Sequence, residues 1–264
     1  MRFCSIRSGS SGNCIYVGSD STHLLIDTGL SGKKIEAGLN ELGLTGEDID
    51  GILVTHEHSD HISGLGVFSR KYGTPVFTTA GTHRAILSKK LGDLSNSTFT
   101  EITCDESFYI GDLLVKASSV SHDAAEPCAF RIYDQNKSAG VLTDLGCYDE
   151  KTVEDYSNLD MLLIEANHDV NMLRAGRYSY ELQNRILSRF GHLSNETGGQ
   201  LLDRLLNDRT KHVFLGHLSE ENNYPALALE SVKLEVNQGP GAYKASDFPI
   251  EIAGRNEISA CIEF

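Results

Sequence analysis

The chain has 264 residues, of which 40% are hydrophobic and 23% are charged. This composition is typical of a globular protein with a core of its own. Asp and Glu number 37 against 23 Lys and Arg, so the formal net charge is −14. That charge excludes a broad basic surface for nucleic acid but leaves room for a local site where metal ions meet a phosphate. We expect a single domain over residues 1–264.

Six cysteines are spread along the chain without a CxxC pair. Their mostly apolar surroundings predict buried, reduced thiols, because a disulfide framework usually belongs to a shorter secreted chain. The first residues lack the long apolar stretch of a signal peptide. No run approaches the ~20 apolar residues that a membrane helix needs. We therefore expect a cytoplasmic protein that does not insert into a membrane.

Short apolar strands alternate with helical segments in the first third of the chain. Strands are predicted at residues 1–7, 14–18, 23–27, 51–55 and 75–78. Ser31 is placed to cap a helix that runs to Leu42, and a second helix is predicted from His61 to Tyr72. Residues 51–55 form a continuous apolar run of the kind that is buried on both faces. This strand leads directly into a cluster of histidines.

The remaining two thirds contain more strands and then a return to alternation. Strands are predicted at 108–110, 113–118, 128–133, 139–143, 161–165, 212–216 and 258–264, and helices at 179–189, 194–206 and 225–236. Two halves in which strands are followed by helices suggest two packed sheets with helices outside. The expected fold class is therefore α/β, as a four-layer αββα sandwich.

The histidine cluster follows the strand at residues 51–55. His56, His58, Asp60 and His61 lie within six residues, and imidazole and carboxylate groups are the ligands that zinc-class metals favour. His56 and His58 are two residues apart, so in an extended segment they project to one side and can hold one ion. Asp60 and His61 follow where the chain turns into a helix and can hold a second ion. This loop is the strongest candidate for a metal site.

Further candidate ligands directly follow later strands. These are His122, Asp144 and His217. Side chains at such strand ends are held by a rigid sheet and remain open to substrate. Asp144 is suited to bridge two ions because a carboxylate offers two oxygens. By contrast, His23 and His83 match no such position, and we interpret them as structural or surface residues.

These motifs resemble the metallo-β-lactamase superfamily over nearly the whole chain. Residues 56–61 match its HxHxDH motif, and His122, Asp144 and His217 match its later ligand motifs in order. More narrowly, the chain resembles the YycJ (WalJ) subfamily. That resemblance rests on Ser8-Gly9-Ser10-Ser11-Gly12-Asn13-Cys14, Thr143-Asp144-Leu145-Gly146, Glu165-Ala166-Asn167-His168-Asp169, Gly191-His192-Leu193-Ser194-Asn195 and Gly216-His217-Leu218-Ser219-Glu220-Glu221-Asn222-Asn223.

The resemblance implies a two-metal hydrolase in which a hydroxide that bridges the ions attacks phosphorus. The implied ligands are His56, His58 and His122 for the first ion, Asp60, His61 and His217 for the second, and Asp144 between them. Asp60 would also accept the proton of the water. Zinc is the first expectation for the metal, while manganese, iron and nickel suit the same ligands.

Other residues are candidates for proton transfer and for substrate binding. Glu165 and His192 resemble the pair that RNase Z-like enzymes place beside the scissile phosphate, where a carboxylate orients a general acid, and His168 could share that role. The polar turn from Ser8 to Asn13 offers N–H groups and hydroxyls for an anion. The candidate substrate-binding residues are Ser10, Ser11, Asn13, Ser219, Asn222 and Asn223.

The fold alone does not decide the substrate. The stretch from Asp144 to His217 is too short for the inserted domain of RNase J-like nucleases, and no long arm for tRNA is present. YycJ-like proteins are regarded as DNA exonucleases that act on 5′ ends, so a nucleic-acid end, DNA first, is the expected substrate. One alternative is a hydrolase of a small ester, lactone or cyclic phosphodiester. The other is a regulatory partner without catalysis.

Overall fold

The computed structural model describes residues 1–264. The strands are β1 (Arg2–Arg7), β2 (Cys14–Gly18), β3 (His23–Ile26), β4 (Gly51–Leu53), β5 (Val76–Thr79), β6 (Phe99–Ile102), β7 (Ser107–Ile110), β8 (Leu113–Ser119), β9 (Cys128–Asp134), β10 (Lys137–Leu142), β11 (Met161–Glu165), β12 (His212–Gly216), β13 (Ile250–Ile252) and β14 (Ile262–Glu263). The helices are α1 (Gly32–Glu41), α2 (Ser59–Ile62), α3 (Leu65–Tyr72), α4 (Ala80–Leu87), α5 (Glu150–Tyr156), α6 (Val170–Ala175), α7 (Tyr180–Ile186), α8 (Asn195–Leu205) and α9 (Pro225–Gln238). Short 3-10 turns span Gly46–Asp48 and Ala245–Asp247.

The chain divides into two compact units. Unit 1 comprises Met1–Ser119, Ala124–Lys137 and Gly254–Phe264, and unit 2 comprises Val120–Asp123 and Ser138–Ala253. The expectation of a single domain stays a prediction. Each unit contains its own strands, helices and candidate ligands, and each is described by itself.

Unit 1 is built on a seven-stranded mixed sheet in the order β14-β1-β2-β3-β4-β5-β6. Pairing is antiparallel from β14 to β3 and parallel from β3 to β6. Apolar side chains of this sheet and of α1 and α3, such as Leu25, Ile35 and Phe68, are buried in one core. The same unit contains β7, β8 and β9, which form an antiparallel meander.

Unit 2 contains the parallel strands β10, β11, β12 and β13, paired in that order. Every residue of β11 and β12 is buried, as expected for parallel strands covered on both faces. Leu201 and Leu202 of α8 and Val232 of α9 are buried as well. The Ser194 hydroxyl accepts the N–H of Thr197 at 3.2 Å, so the predicted cap of α8 is confirmed.

The predicted helix from His61 to Tyr72 is in fact two helices, α2 and α3. The carbonyl of Asp60 accepts the N–H of Asn13 at 2.8 Å, and the N–H of Gly64 donates to Thr28 at 2.8 Å. The i to i−4 bond that would join the two helices is therefore replaced by bonds to other segments. A Cβ at Gly64 would lie 1.9 Å from the carbonyl oxygen of Leu30, so only glycine fits at this break.

Several other boundaries differ from the sequence-based prediction. The helix predicted at 179–189 ends at Ile186, and the strand predicted at 258–264 is only Ile262–Glu263. The elements that were not predicted include β6, α5, α6 and β13. They are three to seven residues long, and elements of that length carry too few apolar repeats to define a period.

The thiols are all free. Cys4, Cys14 and Cys128 are buried, Cys104 and Cys147 are half-buried, and Cys261 is exposed. The prediction of buried positions is therefore right for three of the six and wrong for Cys261. No helix is both long enough and apolar enough to cross a membrane.

Candidate metal centre

The histidine loop of unit 1 follows the buried strand β4 and ends in α2. His56 and His61 are buried, while His58 and Asp60 are partly exposed. The ring of His56 lies 4.6 Å from that of His58 and 4.2 Å from that of His61, measured between centroids. Nε2 of His61 is 3.4 Å from a carboxylate oxygen of Asp60. The loop thus gathers its four predicted ligands within a small volume.

Asp27, which lies outside the predicted ligand motifs, holds two of these histidines in one tautomer. Its Oδ2 lies 2.7 Å from Nδ1 of His61 and accepts the hydroxyl of Thr55 at 2.8 Å. Because that hydroxyl donates to Asp27, it accepts the Nδ1 proton of His56, 3.0 Å away. Both rings therefore carry their proton on Nδ1 and present the lone pair of Nε2, which is the form that binds a metal ion.

The Ser8–Asn13 turn is joined to the same loop through Asn13. The Asn13 amide nitrogen is 3.1 Å from Nε2 of His61, and its oxygen accepts the N–H of Gly9 at 2.9 Å. Asn13 is buried, whereas Ser10 and Ser11 are exposed. Of the predicted anion-binding residues, Asn13 therefore orients the histidine loop. Ser10 and Ser11 are the members of the turn that face solvent.

Arg255 contacts this turn and was also not identified from the sequence. Its guanidinium is 3.3 Å from the hydroxyl of Ser10 and 3.2 Å from that of Ser11. The N–H of Ser8 donates to the carbonyl of Gly254 at 3.0 Å, which brings this late segment to the turn. A cation beside two hydroxyls gives the turn a chemistry suited to a phosphate.

Unit 2 gathers a second set of candidate ligands around Asp144. Its Oδ1 lies 3.3 Å from Nε2 of His217, 3.8 Å from Nε2 of His122 and 3.8 Å from Nδ1 of His192. Asp144, Glu165, His192 and His217 each offer a ligand atom, and these atoms all lie within 4.8 Å of one another. Imidazole and carboxylate donors at this spacing are chemically suited to a divalent ion, and Asp144 and His217 are the two of these four that were predicted as ligands.

Backbone and carboxylate acceptors also set the tautomers in unit 2. Nδ1 of His122 lies 3.0 Å from the carbonyl of Gly191 and must donate to it, and Nδ1 of His217 lies 3.1 Å from Glu165. Each ring therefore turns the lone pair of Nε2 toward the carboxylate of Asp144. Two electron-pair donors that face each other are best satisfied by a cation between them. Burial lowers the pKa of His122, which favours the neutral ring that a metal ion requires.

Two of the ligand positions have unusual backbone angles. Asp144 and His217 have φ of 60° and 55°, and Asp27 in unit 1 has φ of 60°. Non-glycine residues seldom adopt the left-handed region, and its cost is accepted mainly at functional sites. Asp27 and His217 directly follow β3 and β12, and Asp144 is the second residue after β10, so each lies at the carboxyl end of its strand.

Glu165 and His192 form the hydrogen-bonded pair that the sequence analysis predicted. Oε1 of Glu165 is 2.8 Å from Nδ1 of His192, and Oε2 accepts the N–H groups of Leu145 and Leu193 at 3.1 and 3.2 Å. Complete burial by itself raises the pKa of Glu165, but His192 and His217 hold that pKa below its usual range. The carboxylate is therefore charged and orients the His192 ring.

His168 lies beside this pair and is only 1% exposed. Its Nδ1 is 3.3 Å from the side-chain oxygen of Asn167, and its Nε2 has no hydrogen-bond partner. Burial lowers the pKa of His168 to about 4, so the ring is neutral near pH 7. A catalytic role for His168 stays a prediction, and its neutral form restricts it to accepting a proton or donating the Nδ1 or Nε2 hydrogen bond.

The residues predicted to bind substrate after His217 are buried in unit 2. The Asn223 amide donates to the carbonyls of Ala166 and Asn167 at 2.9 and 3.0 Å. The Ser219 hydroxyl accepts the N–H of Asn222 at 3.2 Å. Asn223 thus holds the loop after β11. A contact of these three residues with substrate stays a prediction.

Comparison with known proteins agrees with this chemistry. The family model described as the metallo-beta-lactamase superfamily matches residues 7–217. The chain belongs to this superfamily. Its strands and helices are those of the family's αββα fold, and the expected fold class is therefore confirmed.

Two curated relatives place the chain within the superfamily. Exodeoxyribonuclease WalJ of Streptococcus pneumoniae serotype 2 is 45% identical over 228 residues, which cover 86% of this chain and 85% of the relative. Exodeoxyribonuclease YycJ of Bacillus anthracis is 40% identical over 232 residues, or 88% of each chain. The predicted membership of a YycJ/WalJ-like subfamily is confirmed.

Solved structures with low identity show the same fold. The metallo-β-lactamase fold protein YhfI of Bacillus subtilis superposes with a TM-score of 0.70 at 18% identity and covers 98% of both chains. Zn²⁺-bound PqqB of Methylobacterium extorquens gives a TM-score of 0.72 at 17% identity and covers all of both chains. At these identities the likeness describes the fold and not the substrate.

Proposed function

We propose that the protein is a metal-dependent exonuclease that removes nucleotides from a DNA end. The identity of 45% and 40% with two exodeoxyribonucleases, over 85% and 88% of their lengths, carries this proposal. The donor sets around His61 and Asp144 support it, because their chemistry suits divalent metal ions. Attack at a 5′ end and a preference for DNA over RNA are parts of the same proposal.

The proposed metal ligands are the seven residues of the sequence motifs. They are His56, His58, Asp60, His61, His122, Asp144 and His217. Divalent ions, when bound, polarise a phosphoryl oxygen and make water a strong nucleophile. Zinc is proposed first, with manganese, iron or nickel as the other metals that these ligands accept. Elemental analysis of the purified protein would decide among them.

Side chains of the protein would accept the proton of the attacking water and donate a proton to the leaving group. Asp60 is partly exposed and is proposed to accept the proton of the attacking water. His192 donates its Nδ1 proton to Glu165, so its Nε2 is directed away from the carboxylate. When Nε2 is protonated, the charge of Glu165 stabilises the imidazolium, and Nε2 can give its proton to the leaving 3′ oxygen.

The proposal is tested with short DNA and RNA strands labelled at either the 5′ or the 3′ end. The protein is loaded with manganese or zinc, and Asp60→Ala and the exposed Glu230→Gln are assayed beside it. We expect mononucleotides to be released stepwise from 5′ ends of DNA by the wild type and by Glu230→Gln, but not by Asp60→Ala. Turnover of a simple ester without any cleavage of DNA or RNA would overturn the proposal in favour of a small-molecule hydrolase.

A further inference from the structure

One surface segment of unit 2 differs in charge from the rest of the protein. Residues 174–190 contain four arginines and one glutamate, a balance of 4 − 1 = +3 in a chain whose net charge is −14. The arginines are Arg174, Arg177, Arg185 and Arg189. Arg185 pairs with Asp123, so the other three account for the positive potential of the segment. We call residues 174–190 the basic segment.

The basic segment also exposes large apolar side chains. None of the residues of α7 is buried, although the helix contains Tyr180 and Ile186. Tyr180 is 78% exposed, and Phe190 is 53% exposed. An exposed aromatic ring gives up the free energy that burial would provide, so two such rings on one short segment indicate a binding surface more than a folding requirement.

Hydrogen bonds join the end of this segment to the candidate ligands of unit 2. The carbonyl of Phe190 accepts the N–H of Asp123 at 3.1 Å, and the carbonyl of Arg189 accepts the hydroxyl of Ser121 at 2.6 Å. Ser121 and Asp123 flank His122, and Phe190 is two residues before His192. The backbone of Phe190 is therefore bonded to a residue that flanks the ligand His122, and Phe190 is two residues before the proposed general acid His192.

A single DNA strand is the partner whose chemistry fits this combination. Unpaired bases stack on exposed aromatic rings whatever their sequence, and arginines contact the phosphates between them. With a net charge of −14, the protein has no broad basic surface for nucleic acid. A protein that acts on strand ends needs to contact only a few phosphates, so a short basic surface is sufficient. We propose that Phe190 and Tyr180 stack with unpaired bases of the DNA end, while Arg174, Arg177 and Arg189 contact its backbone. This inference rests on the proposed exonuclease function.

Binding of DNA is measured separately from its cleavage, so the experiment can contradict the role of the basic segment without contradicting the exonuclease function, and the reverse. Fluorescence anisotropy of a labelled single strand gives the dissociation constant of the protein in the Asp60→Ala background, in which we expect no cleavage. We expect Phe190→Ala to weaken binding by about 10-fold, as for the loss of one stacked base, and Phe190→Tyr to restore it. Tyr109→Ala, which removes a ring 69% exposed in unit 1, is the matched control and should change nothing.

An oligonucleotide whose terminal residues are abasic separates stacking from a structural effect. On this strand, Phe190→Ala and its parent should bind equally, because no base remains to stack. Equal weakening on normal and abasic strands, or normal binding by Phe190→Ala together with Tyr180→Ala, would overturn the inference. Binding that depends on Phe190 in a protein that cleaves no DNA would instead overturn only the exonuclease proposal.

The arginines have a test of their own in the salt dependence of binding. Each lost phosphate contact reduces the slope of log affinity against log salt by about 0.7 for a single strand. We expect Arg177→Gln and Arg189→Gln each to show this reduction, and the exposed Lys211→Gln of unit 2 to keep the wild-type slope. Unchanged slopes in both arginine variants would contradict the proposed backbone contacts.

Discussion

Replacement of Asp27 by asparagine tests whether a buried carboxylate prepares the histidine loop for metal. Asp27 is buried, and its two oxygens receive Nδ1 of His61 at 2.7 Å, the Thr55 hydroxyl at 2.8 Å and the Thr55 N–H at 2.9 Å. The side chain of asparagine has the same shape but offers one acceptor oxygen and one NH₂ group. The three donors that now meet the carboxylate can therefore not all be accepted by asparagine.

The oxygen of the asparagine can still accept the Thr55 N–H, which leaves its NH₂ group facing Nδ1 of His61. The two donors repel unless His61 moves its proton to Nε2, and that proton then occupies the position of a metal ligand. Loss of such an orienting partner typically weakens metal binding by about 10- to 100-fold. We therefore expect a loss of about 1.4 to 2.7 kcal/mol in the free energy of metal binding.

The assay is competition for zinc and for manganese against a chromophoric chelator, with urea unfolding of the metal-free protein measured in parallel. Asp50→Asn is the matched control, because the Asp50 carboxylate accepts the N–H of His23 at 2.7 Å at an exposed position in the same unit. We expect wild-type metal affinity in this control. If Asp27→Asn is folded and binds metal with an affinity within about twofold of wild type, the assigned Nδ1 tautomer of His61 is refuted.

Three further predictions concern proton transfer, pH and close packing. His192→Asn should lower the rate on DNA by about 100-fold or more but spare an aryl phosphodiester, whose phenolate needs no general acid; equal losses on both substrates would instead indicate a ligand or structural role. Because burial lowers the pKa of His168 to about 4 from 6.5, the unfolded chain binds a proton at His168 below pH 6.5 that the metal-free fold does not bind, so stability is lost as the pH falls from 6.5 toward 4. Urea unfolding should show about 2 kcal/mol lost from pH 7.5 to 5 that His168→Asn does not lose, and parallel pH curves for the two proteins would contradict this. Gly29→Ala should reduce metal affinity and unfolding free energy together, because its Cβ would lie 1.6 Å from the carbonyl oxygen of Asp60; a chelator titration indistinguishable from wild type would show that the loop adapts.

Elements marked by a continuous apolar run or by a clear helix cap could be predicted well. β2, β11 and β12 have the predicted bounds, and α8 begins after its predicted Ser194 cap. The break between α2 and α3 could not be predicted, since it arises from bonds that Asn13 and Thr28 make with residues distant in sequence. Local propensity does not contain such long-range competition for backbone groups.

The donor types of the candidate site could be predicted because ligand chemistry restricts them to a few residue types at strand ends. The partners of those donors could not. Asp27 looked like an ordinary strand end, and only the fold places its strand beside β4, which leads into the histidine loop. The contact of the Asn13 amide with His61 was not predicted either, and a role of Asn13 in anion binding stays a prediction.

The sequence by itself determined the family, the αββα fold class and the residue types that can bind metal. Each of these depends on short motifs, and their order and spacing can be read directly from the amino-acid sequence. Tertiary structure alone decided which nitrogen of each histidine carries a proton, that His168 is buried and neutral, and that Tyr180 and Phe190 remain in solvent. These properties depend on the atoms that surround a side chain. Such neighbours come from distant parts of the chain and become defined only when the backbone has folded.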